Sequence, residues 1–251
     1  MDKPNSQHAV DAAPLSEMET SIWRDILAQA VTGEMIGSLN YATLADLYDQ
    51  DAERNEAIEH SNEEKAHAAR FSAVGWDLNL PASADTSAPY WSRIRTAFLS
   101  HADRSDLIAC ILAQEVMLEA FAVATYELIG QVAPGKLGSI FSTIAREECE
   151  HVGHAISTLQ IERRRAPKVF DENVQEVHEE VMITLAEMVA REDHNGHCGL
   201  CHGSCAKPSL PRVGLSTATL RGVSLRRYLK TLDQIGVPGK LSLAWVSRLP
   251  V

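Results

Sequence analysis

Apolar residues recur along most of the chain at intervals of three and four, the spacing that lines one face of an α-helix. The first such run opens at Ser16, whose pairing with Glu19 is a capping-box signature, and continues without proline to about residue 49 through Ile22, Ile26, Ala30, Met35, Leu39 and Leu44. A second helix is predicted over about 53–76, followed by a loop over 77–89 that carries Pro81, Ser83, Ser87 and Pro89. A shorter helix follows over about 90–100. The most apolar segment, 103 to about 131, reads as a core helix, and Pro134 suits the first turn of a partner that runs to about 164 and is closed by Pro167. Further helices are expected over about 171–191 and 216–235, with Pro238-Gly239 breaking the last. No alternating β pattern of convincing length occurs. The chain therefore reads as all-α, in three parts: a flexible arm over 1–15, a helical bundle over 16–165, and C-terminal helices over 169–251 packed on the bundle and interrupted by a Cys/His-rich insert at about 193–212.

Within that pattern one motif occurs twice. Glu63-Glu64-Lys65-Ala66-His67 is echoed by Glu147-Glu148-Cys149-Glu150-His151. Residues three apart share a helix face, so Glu64 with His67, and Glu148 with His151, can each offer two ligands to one metal ion. A mid-helix glutamate precedes each pair: Glu34 lies 30 residues before Glu64, and Glu119 lies 29 before Glu148. That is the separation of facing points on two antiparallel helices joined by a short loop. Two such hairpins bring four carboxylates and two imidazoles together, the arrangement of a ferritin-like four-helix bundle with a di-iron site. Glu34, Glu64, His67, Glu119, Glu148 and His151 are the expected ligands of two iron ions, since carboxylates bridge hard cations and imidazole leaves room for oxygen. Glu115 shares a helical stripe with Glu119; the 29-residue spacing favours Glu119 and leaves Glu115 as an expected supporting residue behind the ligands or on the pore. Glu63 and Glu147 are expected to hydrogen-bond the outer nitrogen of the histidine on the opposite hairpin. His60 and His154, one turn from the ligands, read as structural.

Length and charge narrow the function classes. A chain of 251 residues can build one large helical domain, and 45% hydrophobic with 6% aromatic residues suits a helical core. A formal net charge of -11 argues against nucleic acid and against anionic lipid surfaces. Met1-Asp2-Lys3-Pro4-Asn5 has no basic start to a signal peptide, and no window was expected to reach a membrane span of roughly 18 to 20 apolar residues. Five cysteines, an odd number, suggest no disulfide framework, so a cytoplasmic location is the expectation.

Three runs carry a family likeness: Gly33-Glu34-Met35-Ile36-Gly37-Ser38-Leu39-Asn40-Tyr41, Glu64-Lys65-Ala66-His67-Ala68-Ala69-Arg70-Phe71, and Leu118-Glu119-Ala120-Phe121-Ala122-Val123-Ala124-Thr125-Tyr126. With Glu148-Cys149-Glu150-His151, they resemble the cyanobacterial aldehyde-deformylating oxygenases, also called long-chain aldehyde decarbonylases. The resemblance covers roughly residues 30 to 162, and it too favours Glu119 over Glu115. It implies an oxygen-dependent conversion of a fatty aldehyde to an alkane one carbon shorter plus formate, with electrons from a ferredoxin and ferredoxin reductase. The substrate would be small and apolar or amphipathic, its alkyl tail held by Tyr41, Phe71, Phe121, Ala122 and Tyr126. Four positions depart from the family pattern. Tyr90-Trp91 stands where adjacent Phe residues are usual, Arg70 where Gly is usual, and Val74 where Cys is usual, which implies a more polar pocket. Two other readings follow from these departures and from the ligand set: a di-iron oxygenase acting on a smaller, polar metabolite, and a ferritin-like iron-handling or peroxide-scavenging protein.

The insert has no counterpart in that pattern. From His194 to Cys205 it carries three Cys and three His, and Cys198, Cys201, His202 and Cys205 could hold zinc tetrahedrally.

Overall fold

A computed structural model of the protein describes residues 15–190 and 205–251, apart from the side chains at positions 150 and 154. The arm over 1–14 and Cys198, Cys201 and His202 of the insert lie outside the described residues, as does the side chain of His154. Every regular element among the described residues is helical.

Helix α1 (Glu17–Leu47) starts at Ser16 with both halves of the capping box in place: Ser16 Oγ accepts from the Glu19 amide, and the Glu19 carboxylate accepts from the Ser16 amide at 2.8 Å. Helix α2 (Asp51–Asp77) returns antiparallel to it. Their register is pinned by Ser38 and Ser61, each of whose hydroxyls donates to the other's carbonyl, at 2.9 and 2.8 Å. This sets Glu34 and Glu64 at the same level of the hairpin. Helix α3 (Pro89–Ala102) begins on a proline whose missing amide costs nothing in a first turn.

Helix α4 (Leu107–Val132) starts four residues later than the apolar pattern suggests. Ser105 adopts a positive φ of 55° and Asp106 caps the new start, accepting from the Ala109 amide at 3.1 Å. Between Leu112 and Leu118 the helix widens into a π-helical segment, then resumes as an α-helix at Glu119. Helix α5 (Gly135–Arg165) packs antiparallel on α4, and these two hairpins form the bundle.

Pro167 does not merely close α5. It opens helix α6, which begins as Pro167–Val177, passes through a π-turn at His178–Met182 and continues over Ile183–Ala190. At the end of the stretch assigned to the insert, Lys207–Val213 forms a 3-10 helix with Leu210 buried. Helix α7 (Thr217–Ile235) packs on α4 and α5, and a further short helix, α8 (Gly239–Val246), follows the Pro238-Gly239 break.

By length and composition α4 is apolar enough to cross a membrane, with a window of mean hydropathy 1.9, contrary to the expectation that no window approaches a span. In the fold 78% of that window is buried. It is the central helix of the bundle, and its apolar character is spent on Cys110, Leu112, Val116, Met117 and Val123, none of them exposed.

The α4–α5 crossing is close because Gly130 has no side chain: a Cβ there would meet Ser142 Oγ in hard overlap and the Ser142 backbone nitrogen at 3.0 Å. Alanine at 130 gains about 1 kcal/mol of helix propensity. The backbone of Ser142 cannot swing aside, however, and overpacking costs about 1–3 kcal/mol. Gly130→Ala is therefore expected to lower the urea unfolding midpoint, and an unchanged or raised midpoint would contradict the close crossing.

Candidate metal centre

The two hairpins bring all six candidate ligands into one buried cluster. Glu34, Glu64, His67, Glu119, Glu148 and His151 are each at most 3% exposed. Two groups of possible ligand atoms overlap: Glu34, Glu64, His67 and Glu148, and Glu64, Glu119, Glu148 and His151. Glu64 and Glu148 belong to both, the position of carboxylates that bridge two cations. His67 Nδ1 lies 2.7 Å from Glu148 Oε1 and 3.2 Å from Glu34 Oε2, and His151 Nδ1 lies 2.9 Å from Glu148 Oε2. Neither group includes Glu115, which is buried elsewhere on the π-helical segment. The widened turn changes the phase between positions 115 and 119, so the two no longer share a stripe.

The outer imidazole nitrogens point away from the cluster, each toward a carboxylate of the opposite hairpin. His67 Nε2 lies 3.0 Å from Glu147 and His151 Nε2 lies 3.0 Å from Glu63. Such a contact fixes the ring so that Nδ1 faces inward.

Protons hold this cluster together when no cation does. Burial and the neighbouring Glu148 charge push Glu34 up to about 7 and raise Glu64 and Glu119 well above the usual carboxylate range. Burial alone would lower His67 and His151, but hydrogen bonds to Glu148 and the surrounding carboxylates push both up to about 10. Burial acts to raise Glu148, yet its bonds to the two imidazoles hold it below the usual range. Even so, Glu34 Oε2 and Glu64 Oε1 are buried without a hydrogen bond. Four carboxylates inside an apolar core with inward atoms unsatisfied are costly unless paired with positive charge. Hard divalent cations fit this oxygen-rich donor set.

The close packing continues into the surrounding residues. A Cβ on Gly37 would lie 2.8 Å from Glu64 Oε2 and 3.3 Å from Gln114 Nε2, so only glycine leaves that carboxylate its place. Gln114 ends a chain of hydrogen bonds. Arg95 donates to Asn40 Oδ1 at 2.6 Å and to Thr43 Oγ1 at 2.9 Å, Asn40 Nδ2 donates to Gln114 Oε1 at 2.6 Å, and Gln114 Nε2 donates to Glu119 Oε1 at 2.8 Å. A guanidinium can only donate, so Arg95 sets the direction of both amides and thereby turns a donor toward Glu119.

A cavity of about 190 Å3 opens on the cluster, with Glu34, Glu64, Glu119 and Glu148 at its inner end. Its walls are mostly apolar, with Phe121, Ile129, Phe141, Met188, Leu210 and Leu220 among them. Of the five residues expected along a substrate tail, Phe121, Ala122 and Tyr126 line it and Tyr41 and Phe71 do not. Tyr41 is buried beside the rings of His60 and His151, its hydroxyl 3.3 Å from Glu119 Oε1, and Phe71 packs on Tyr126 and Phe141. Trp91 does line the cavity, its indole nitrogen donating to Gln29 at 2.9 Å. Arg70 is absent from the lining and instead pairs with Glu147. The contributions of Met188, Leu210 and Leu220 carry no sequence signal, because they come from helices far along the chain.

Residues 16–194 match the sequence profile of the family described as long-chain fatty aldehyde decarbonylase. The chain belongs to this family. Among solved structures, it is similar to a protein from Synechococcus described as having aldehyde deformylating oxidase activity, with a TM-score of 0.76 and 18% identity over 93% of this chain and 98% of that one. Identity that low speaks for the shared ferritin-like fold.

Two outcomes are expected of this aldehyde decarbonylase family member. Cation binding must displace the protons held by His67, His151 and the raised carboxylates, so Co2+ affinity should climb as pH rises from about 6 to 8 and loading should release several protons per chain. Calorimetry in buffers of different ionisation heat measures this, and proton-neutral binding would contradict it. Arg95→Met frees the Asn40 and Gln114 amides to turn and should weaken Co2+ binding up to ~10-fold, with a changed visible absorption of the bound ion. Arg95→Lys, which still donates, should fall between that variant and the parent.

Proposed function

We propose that the protein is an oxygen-dependent, di-iron aldehyde-deformylating enzyme, with Glu34, Glu64, His67, Glu119, Glu148 and His151 holding two iron ions. The observation that carries this reading is the apolar cavity ending on the buried carboxylate cluster. Iron, when bound, would supply redox equivalents and Lewis acidity for oxygen chemistry. Conversion of an aldehyde and dioxygen to an alkane one carbon shorter, formate and water balances only with four electrons and three protons. A ferredoxin with its reductase is the proposed donor.

The chain's own residues would do the rest. The cavity follows α1 from Gly37 to Asp25, roughly 18 Å at the helical rise, a run suited to a medium or long alkyl tail. Phe121, Ile129, Phe141 and Leu220 would bury the tail and exclude water, leaving the carbonyl carbon at the carboxylate end. Tyr126 donates its hydroxyl hydrogen to Glu34 Oε1 at 2.5 Å. Burial and the Glu34 charge keep that phenol protonated, so it would hold its proton at this oxygen and orient the carboxylate. Gln114 would do the same at Glu119.

A second reading has one observation in its favour: Asp25, Gln29 and Lys207 line the far end of the cavity. Polar groups there suit a substrate with a polar end, and hence the alternative of a di-iron oxygenase for a smaller, more polar metabolite. Arg70 no longer supports that alternative, because it faces Glu147 rather than the cavity. An iron-storage role leaves the apolar cavity unexplained.

Iron-loaded protein supplied with oxygen, a reducing system and aldehydes of graded length should yield the shortened alkane and formate, detected by mass spectrometry. Ala122→Phe should suppress turnover of long aldehydes more than short ones at unchanged iron content. Equal loss at all lengths would place the tail elsewhere, and no alkane from any aldehyde would discard deformylation in favour of the polar-substrate oxygenase.

A further inference from the structure

The two carboxylates behind the imidazoles are equivalent in sequence and unequal in structure. Glu147 is locked. Its Oε2 accepts from His67 Nε2 at 3.0 Å and from Arg70 at 2.5 Å, and its Oε1 lies 3.5 Å from the second guanidinium nitrogen. That guanidinium compensates the charge of the carboxylate, whose side chain stays 38% exposed, and its bonds to Arg70 hold Glu147 below the usual range against the effect of burial. Glu63 is open. Its side chain is 56% exposed, it meets His151 Nε2 at 3.0 Å, and among the described residues no arginine or lysine pairs with it. Beside it stands His60, whose ring centre is 4.3 Å from that of His151. One ligand atom from each of His60, Glu63 and His151 lies within 4.8 Å of the other two.

We propose that His60, Glu63 and the outer nitrogen of His151 form a transit site through which a divalent cation reaches the buried cluster, while Arg70 seals the equivalent face at Glu147. This rests on the reading that the buried cluster holds metal. A hydrated cation cannot reach ligands that are almost wholly buried without shedding water against other donors on the way. Two imidazoles and one carboxylate are the donors that suit Fe2+, Co2+ or Zn2+ and discriminate against Mg2+ and Ca2+. Glu63 places a carboxylate at the surface with no arginine or lysine beside it among the described residues, which raises the local cation concentration and the rate of encounter. His151 belongs to both sets. Its Nε2 faces the transit group and its Nδ1 lies 2.9 Å from Glu148 inside, so the outer and inner donors adjoin across a single imidazole. At the other hairpin the corresponding path is occupied by the Arg70 guanidinium, a fixed cation that repels a mobile one. Arg70, which lies outside the cavity lining, thus has a consequence for how the site fills.

Stopped-flow mixing of the metal-free full chain with Co2+, read by visible absorbance, tests this through rates and final content, independently of turnover. Glu63→Gln keeps an acceptor for His151 and removes the charge. It should slow uptake by roughly 5- to 10-fold and flatten its ionic-strength dependence, with final Co2+ content unchanged. His60→Gln should also slow uptake. Glu147→Gln, the matched change on the sealed face, should leave the rate as in the parent. Uptake slowed equally by Glu63→Gln and Glu147→Gln would show that both act only by orienting their histidines and would overturn the transit site, as would unchanged rates in all three variants. A parent protein that takes up no cation at all would instead overturn the buried centre itself.

Discussion

Four carboxylates sit within one apolar bundle, and the local structure is arranged around their cost. Without cations the cluster persists by holding protons: two imidazoles pushed up to about 10 neutralise Glu148, and burial keeps Glu64 and Glu119 protonated. That arrangement still leaves inward oxygens unsatisfied. A cluster that charges only when positive ions replace its protons couples metal affinity to pH and makes the centre depend on the close packing of Gly37 against Glu64. The hydrogen-bonded chain from Arg95 to Glu119 meets the same constraint from outside, because each donor it supplies reduces the charge the core must bear.

The π-helical segment of α4 links this centre to the cavity. It spans Gln114 and Glu115 and ends where Glu119 begins, so one widened turn aims Gln114 at Glu119 and keeps Glu115 out of the ligand groups. Directly after it, Phe121, Ala122, Thr125 and Tyr126 present a mostly apolar face to the cavity. Tyr126 serves both purposes, as cavity wall and as donor to Glu34. A substrate tail and the proposed metal pair would therefore be positioned by the same short stretch of one helix. The two faces behind the imidazoles differ in the pairing of Arg70 with Glu147 on one and in His60 beside Glu63 on the other, which leaves the approximate twofold repeat of the sequence electrostatically one-sided.

Helical periodicity, the Ser16–Glu19 cap and the doubled Glu-x-x-His motif were enough to identify an all-α bundle and to nominate six buried acidic and imidazole side chains, because ligand spacing within a helix is a local property set by 3.6 residues per turn. The same locality explains the errors at element ends. Pro167 reads equally well as a stop or a start, and Asp106 acts as a cap only because Ser105 turns the chain first. What only the tertiary structure decided involves residues distant in sequence: that Arg70 turns to Glu147 and away from the cavity, that Tyr41 and Phe71 pack behind the centre, and that Met188, Leu210 and Leu220 complete the cavity wall. A hydrophobic position states that it will be buried but not against what. The choice between core and cavity, like the choice between a sealed and an open carboxylate, is made only when separate helices meet.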